Sequence, residues 1–273
     1  MKLLTNGARP EGPAPESVAP KTRADKVGFA RTLSSEWTKL RTVRSTMWTL
    51  AVLTALVPVM AVFVGATGSL QPDDTIVGGS LTGAALGQIG AAIFGVLMMS
   101  GEYSTGMIRN TLSATPRRGT VLGAKALILV TMMFVAGLIA CSAGYQIGTM
   151  MLSSDDYAAG EPWPALLGVA LSFSAAGALG LAIATILRHS SGAITASLGI
   201  ILLPSLLGPL FGSWQTWVAG ASPTAALQKL TQSSDAAPDI AGSLGPWPSL
   251  WLVCGYAALA LGVGAWRLKS RDA

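Results

Sequence analysis

The side chains that could carry out covalent or metal chemistry are few in this 273-residue sequence and widely separated. The single histidine, His189, lies in a predicted turn with no acidic residue near it in sequence. The two cysteines, Cys141 and Cys254, both lie inside apolar stretches, where thiols usually serve as small buried hydrophobic groups. A metal site or a Ser-His-Asp triad needs several such groups together. The sequence therefore predicts no catalytic residue and no metal site.

Other forms of chemistry are also missing from the sequence. No segment has the form G-x-x-x-x-G-K-[ST], so the chain has no predicted phosphate-binding loop. Serines such as Ser142 and Ser172 lie in apolar stretches, but no G-x-S-x-G motif and no intramembrane histidine accompany them. Ion-coupled carriers usually place an ionisable residue within the membrane. We find none near the middle of an apolar stretch, and we predict that the chain is not an enzyme and binds no cofactor.

The densest polar segment between apolar stretches is GEYSTGMIRNTLSATPRRG, residues 101–119. Ser104 or Thr105 can cap a short helix through its hydroxyl group. The helix would have an apolar face made of residues at helical spacing, namely Met107, Ile108, Thr111 and Leu112. A short helix with an apolar face is typical of a segment that inserts into the groove of a partner protein. The alternative is a capped loop whose basic residues only orient the membrane spans.

Glu102 and Arg109 lie seven residues apart in this segment and can share one face of a helix. Lys125 lies at the beginning of the next apolar stretch. We expect Glu102 and Lys125 to lie near the membrane surface, where long charged side chains can reach water.

The elements that must position this segment are membrane spans. Hydrophobic residues make up 51% of the chain and charged residues 11%, whereas soluble domains contain about 25% charged residues. Six stretches reach the length of about 20 mostly apolar residues that a spanning helix needs. They are residues 48–66, 81–100, 121–152, 164–187, 193–211 and 247–266. The predicted fold class is an all-α integral membrane protein with six transmembrane helices.

The distribution of basic residues predicts the orientation of these spans. Of the 18 lysine and arginine residues, 17 fall in or beside segments on one predicted side, and only Lys229 falls on the other. Loops with Lys and Arg remain in the cytoplasm. Both termini and residues 101–119 are therefore predicted to be cytoplasmic. The net charge of +5 follows from this topology, so we do not expect nucleic acid as a partner.

Two segments outside the spans have a predicted structure of their own. Residues 1–26 are expected to be a disordered cytoplasmic tail, and residues 27–273 a single transmembrane domain. A helix before the first span has an apolar stripe made of Phe29, Leu33, Trp37 and Leu40. This pattern favours an amphipathic helix in the cytoplasmic interface of the lipid bilayer. An ordinary charged flank of the first span is the alternative.

The fifth predicted span ends in LLPSLLGPLFGSW, where Pro204 and Pro209 each remove a backbone donor. The following residues 213–246 are too apolar for a simple loop and too short to cross a membrane. A re-entrant or interfacial helical hairpin on the outer side is one interpretation. The other is a surface loop that places Trp214 and Trp217 at the membrane interface.

Two motifs, SEWTKLRTVRSTMW at residues 35–48 and GEYSTGMIRNTLSATPRRGTVLGAK at residues 101–125, resemble the membrane subunits of type-two ABC exporters, particularly those of actinobacteria. The resemblance implies a permease subunit in a bacterial plasma membrane. It also implies two kinds of partner: an ATP-binding subunit, which holds the ATP, and a second permease copy, identical or different.

The resemblance also assigns roles to residues of the polar segment. A coupling helix at about residues 104–113 would dock in a groove of the ATP-binding subunit, with Glu102 at the hinge that precedes it. The implied coupling residues are Glu102, Ser104, Met107, Ile108, Arg109 and Leu112. Two other functions remain open at this point: a six-span scaffold or sensor that binds a cytoplasmic regulator through the same loop, and an intramembrane enzyme.

Overall fold

The computed structural model describes residues 29–104, 106, 118–152, 157–233 and 244–270. Within these ranges the chain is helical and contains no strand. The α-helices are α1 (Phe29–Thr42), α2 (Arg44–Thr67), α3 (Ile76–Ser80), α4 (Ala84–Ser104), α5 (Arg118–Met151), α6 (Pro162–Leu187), α7 (Ser190–Leu207), α8 (Gln215–Gly220), α9 (Pro223–Thr231) and α10 (Pro246–Ser270). A 3-10 helix, Gly208–Trp214, joins α7 to α8. The predicted tail, residues 1–26, lies outside the described residues.

Six helices of this described part are long and apolar enough to cross a membrane, namely α2, α4, α5, α6, α7 and α10. This result confirms the predicted all-α fold class with six spans. Successive spans run in opposite directions, so α4 ends and α5 begins at the same end of the bundle. We call this the loop end, and we call the opposite end, with α3, α8 and α9, the far end.

Helix α6 is the centre of the bundle. In its most apolar 18-residue window, 89% of the residues are buried, compared with 17% in α7, 22% in α2 and 28% in α10. Helix α6 packs against α4, α5 and α10. Small residues dominate its sequence, so neighbouring helices can approach it closely on several sides. The other spans therefore surround α6, and α2, α7 and α10 leave most of their surface free.

Glycines allow the closest of these contacts, between α4 and α6. A Cβ atom added at Gly95 would overlap the carbonyl oxygen of Gly177, and one added at Gly180 would overlap the carbonyl oxygen of Ala92. The two backbones thus touch directly along about one turn of each helix, as in the small-residue interfaces of membrane helices. Dispersion contacts at this distance make α4 and α6 a tightly packed pair.

The far end is covered by the segment between the fifth and sixth spans. Ser222 caps the start of helix α9, and its hydroxyl accepts a hydrogen bond from the backbone N–H of Ala225. Helix α9 is largely buried against α6 and α10. Trp214 and Trp217, in contrast, are 68% and 65% exposed. The segment is helical where it is described, and its re-entry into a membrane stays a prediction.

Helix α1 lies at the loop end, where it packs against α5, and Val43 separates it from α2. Its buried residues are Thr32, Glu36 and Leu40, which follow each other at intervals of four and so share one face. The predicted apolar stripe is divided between two environments. Leu40 is buried and Leu33 is partly buried, whereas Phe29 and Trp37 are 46% and 43% exposed. The exposed aromatic rings suit a membrane interface, and that location also stays a prediction.

Candidate functional site

The residues predicted to couple the chain to a partner begin at the end of α4. Glu102 lies in the last turn of α4, and Ser104 is the final residue of that helix. The other predicted coupling residues, Met107, Ile108, Arg109 and Leu112, lie outside the described residues. The described part of the site is therefore the pair of helix ends that carries the segment, together with the side chains packed around them.

Four charged side chains meet at the loop end and form what we call the four-charge cluster: Glu36 and Lys39 of α1, Glu102 of α4 and Lys125 of α5. Lys125 Nζ lies 2.6 Å from Glu36 Oε2 and 2.9 Å from Glu102 Oε1. Lys39 Nζ lies 2.6 Å from Glu36 Oε1 and 3.4 Å from Glu102 Oε1. The cluster thus joins three helices through charge-assisted hydrogen bonds.

The expectation that Glu102 and Lys125 reach water is wrong. Their exposed fractions are 8% and 3%, and that of Glu36 is 1%. The side chains turn inward because oppositely charged partners from α1 are available there, and buried charges must be paired to offset their desolvation. Removing one partner from such a buried pair typically destabilises a protein by about 3–5 kcal/mol.

The members of the cluster on α1 are held in their charged forms. Burial alone would raise the pKa of the Glu36 carboxyl, but the positive charge of Lys125 and the hydrogen bonds from Lys125 and Lys39 lower this pKa below its usual value. Burial would likewise lower the pKa of the Lys39 ammonium, but the hydrogen bond to Glu36 and the charges of Glu102 and Glu36 raise it instead. The ion pairs on α1 therefore persist at neutral pH.

The carboxylate oxygens of the cluster are not equally satisfied. Both oxygens of Glu36 accept hydrogen bonds from lysine, one from Lys39 and one from Lys125. Glu102 Oε1 accepts from both lysines, while Glu102 Oε2 is buried without a hydrogen-bond partner in the described structure. Glu36 is thus the best-satisfied acid of the cluster, and Glu102 is held less completely.

A cavity of about 540 Å³ lies beside the cluster, between the α1–α2 junction and the second half of α4. Its lining changes character from one end to the other. The four-charge cluster forms the polar end, Phe94, Leu97 and Met98 form an apolar wall, and Thr42, Ser45 and Thr46 contribute hydroxyl groups. The volume lies within the range of cavities that hold small molecules.

A second buried polar group lies toward the far end of α4. Gln88 is 1% exposed, and its Nε2 donates to Ser172 Oγ of α6 at 2.8 Å and to the carbonyl oxygen of Pro223 at 3.1 Å. Pro223 is the first residue of α9. The Gln88 amide therefore ties the covering segment of the far end to α4 and α6. Helix α4 carries a buried polar contact near each of its ends.

Two of these buried polar residues were not identified from the sequence. Glu36 is the single acidic residue of α1 and lies on the same helical face as Leu40. An acidic residue on an apolar face could have been recognised as a buried one. Gln88 interrupts an otherwise apolar stretch, which is a signal of the same kind. In both cases the residue type could have indicated a buried partner, but only the packing of distant helices shows which partner it is.

His189 lies in the turn where the sequence placed it, and it is exposed. Its ring accepts a hydrogen bond from the backbone N–H of Gly192 and caps the start of α7. Among the residues that the structure describes, no three His, Cys, Asp or Glu side chains are grouped closely enough to bind a metal ion.

Comparison with known proteins gives one family match. A family model described as "ABC-2 family transporter protein" matches residues 29–273. The matched region begins at the first residue of α1 and includes all six spans and the four-charge cluster. A comparison with curated proteins finds no match.

Proposed function

Because the chain belongs to the ABC-2 family of transporter proteins, we propose that it is the membrane-spanning subunit of an ATP-driven exporter. The observation that carries this proposal is that the family match covers all six spans. The sequence contains no phosphate-binding loop of the Walker type. The energy for transport would therefore come from a separate ATP-binding subunit, and this chain would form the path of the substrate.

The loop between α4 and α5 is the proposed contact with that ATP-binding subunit. The segment carries Met107, Ile108 and Leu112 at helical spacing, which would form the apolar face that enters a groove of the partner. Its two flanking helices are joined by the ion pair between Glu102 and Lys125. A force applied to the segment would thus reach α4 and α5 together.

The proposed setting is a bacterial plasma membrane, with both termini and the loop end in the cytoplasm. The excess of Lys and Arg on that side supports this orientation. Helices α2, α7 and α10 have largely exposed apolar surfaces, which suit contact with lipid and with a second permease copy. Export, rather than import, rests on the resemblance of the two motifs at residues 35–48 and 101–125.

A neighbouring gene that encodes a Walker A loop would identify the candidate ATP-binding subunit, and co-purification of this chain with that protein tests the proposal. We expect the wild-type permease to capture the ATPase from detergent-solubilised membranes. Ile108→Asp should reduce capture at least tenfold, because a carboxylate would be desolvated in an apolar groove. The amount of permease inserted in the membrane should stay the same.

Ile108→Leu is the matched control, since it keeps the apolar volume and should capture the ATPase as the wild type does. Equal capture by wild type and Ile108→Asp would show that this face of the loop does not dock. Failure of the wild type to capture any ATPase would contradict the subunit role and favour a scaffold or sensor.

A further inference from the structure

We infer that Glu36 and Lys125 are positioning residues, which hold the end of α4 and the start of α5 against α1 and thereby set the relative position of the two helix ends that carry the segment proposed to contact the ATP-binding subunit. The inference rests on the proposed function and extends it. It assigns a role to two side chains that have no predicted contact with the ATPase.

The four-charge cluster closes the base of the loop. Glu102 lies two residues before the end of α4, and Lys125 lies seven residues after the start of α5. The 2.9 Å contact between Lys125 Nζ and Glu102 Oε1 therefore joins the helix that enters the loop to the helix that leaves it. The separation of the loop ends is set by this contact as well as by helix packing.

Helix α1 anchors this base through Glu36. Glu36 Oε2 accepts from Lys125 at 2.6 Å, and Glu36 Oε1 accepts from Lys39 at 2.6 Å. Glu36 and Lys125 are 89 residues apart in the sequence. Since α1 packs on α5, this pair fixes how the first turns of α5 are rotated toward α1.

Burial favours a single geometry for this pair. The side chains of Glu36 and Lys125 are 2% and 3% exposed. Ion pairs exposed to water contribute little and hold no defined geometry, whereas buried, fully hydrogen-bonded pairs specify one arrangement. Glu102, with one oxygen shared and the other without a partner, is the less firmly held acid. The holding role therefore belongs to the Glu36–Lys125 pair.

The permease and the candidate ATP-binding subunit, co-purified in lipid nanodiscs, provide the test. The quantity measured is the amount of ATPase captured per folded permease, where folded means inserted and monodisperse. Lys125→Met and Glu36→Gln should each reduce this ratio at least fivefold, because either change breaks the buried pair that holds the start of α5 against α1. The double variant should bind no more than twofold less than Lys125→Met, since Lys125→Met has already broken the pair with Glu36. Lys125→Arg keeps the charge and should stay within twofold of the wild type.

Lys229→Met is the matched control. Lys229 lies at the far end, where it donates to the carbonyl oxygen of Leu244 and to Ser249 Oγ, and its replacement should leave the capture ratio unchanged. If Lys125→Met does not insert, Glu36→Asp takes its place in the test. This variant keeps the charge but shortens the side chain by one methylene group, so its capture ratio should also fall at least fivefold.

Two results would overturn the inference. One is a lower yield of folded permease with an unchanged capture ratio, which is what a merely structural pair would produce. The other is a double variant whose loss equals the product of the two single losses. Absence of capture by the wild type is a different result, because it would contradict the proposed function itself.

Discussion

At the residue scale, some of the buried polar groups that the structure describes connect helices that are distant in sequence. Lys125 and Gln88 each lie near an end of a spanning helix and are almost fully buried. Each is bonded to groups on two other elements. In an apolar environment a polar group without partners is costly, so such residues restrict which helices can lie beside each other.

The Gln88 contact leads to a prediction about the covering segment of the far end. Gln88→Leu removes the donor that serves Ser172 Oγ and the Pro223 carbonyl oxygen, both of which are buried beside it. An unsatisfied buried acceptor costs about 1–3 kcal/mol. We expect the thermal midpoint of the purified permease to fall by several degrees. Amide hydrogen exchange in α9 should increase more than exchange in α5.

Gln146→Leu is the control for this measurement. Gln146 is exposed on α5, and replacing it should change stability by no more than about 0.5 kcal/mol. Unchanged exchange in α9 of Gln88→Leu would show that the side chain does not hold the segment.

At the element scale, the contact between α4 and α6 is the least tolerant of added volume. Gly180→Leu should prevent α4 from reaching α6, because even a Cβ atom would overlap the carbonyl oxygen of Ala92. Overpacking usually costs about 1–3 kcal/mol, and a clash with backbone cannot be relieved by a side-chain rotation. We expect the yield of monodisperse permease to fall at least fivefold, as measured by size-exclusion chromatography.

Gly262→Leu provides the comparison for this prediction. Gly262 lies on α10, and a Cβ atom there would have no neighbour within 4 Å. This variant should give the wild-type yield. If Gly180→Leu gave the same yield, the close approach of α4 and α6 would not be a requirement of the fold.

Helix α1 shows how far periodicity alone predicts an element. Its apolar residues predicted a helix, and the helix is present from Phe29 to Thr42. The face that it buries is centred on Glu36, however, and not on Trp37. A hydrophobic stripe specifies a helix and an apolar side. It does not show that an acidic residue on the neighbouring face will find a buried lysine on another helix.

At the scale of the whole molecule, the orientation of the six spans can be measured directly. Ser34 on α1 and Ser69 after α2 are both exposed and lie at opposite ends of the bundle. With Cys141 and Cys254 replaced by alanine, Ser69→Cys should react with a membrane-impermeant thiol reagent in intact cells. Ser34→Cys should react only after the cells are permeabilised, because its neighbouring basic residues stay in the cytoplasm. The opposite labelling pattern would reverse the proposed topology.

The sequence by itself determined the class of protein, the number of spans and the motifs at residues 35–48 and 101–125. These properties depend on hydrophobicity, charge and short motifs, which can be evaluated along the chain without knowing the contacts. The family match to residues 29–273 agrees with that result.

Only the tertiary structure decided that α6 is the central helix, that α4 touches it through glycines, and that Glu36 pairs with Lys125. Each of these features depends on which helices become neighbours. The six spans are all strongly apolar, so hydrophobicity alone cannot show which spans pack against each other. The choice is made by the fit of small residues and by the need of each buried charge to meet its partner.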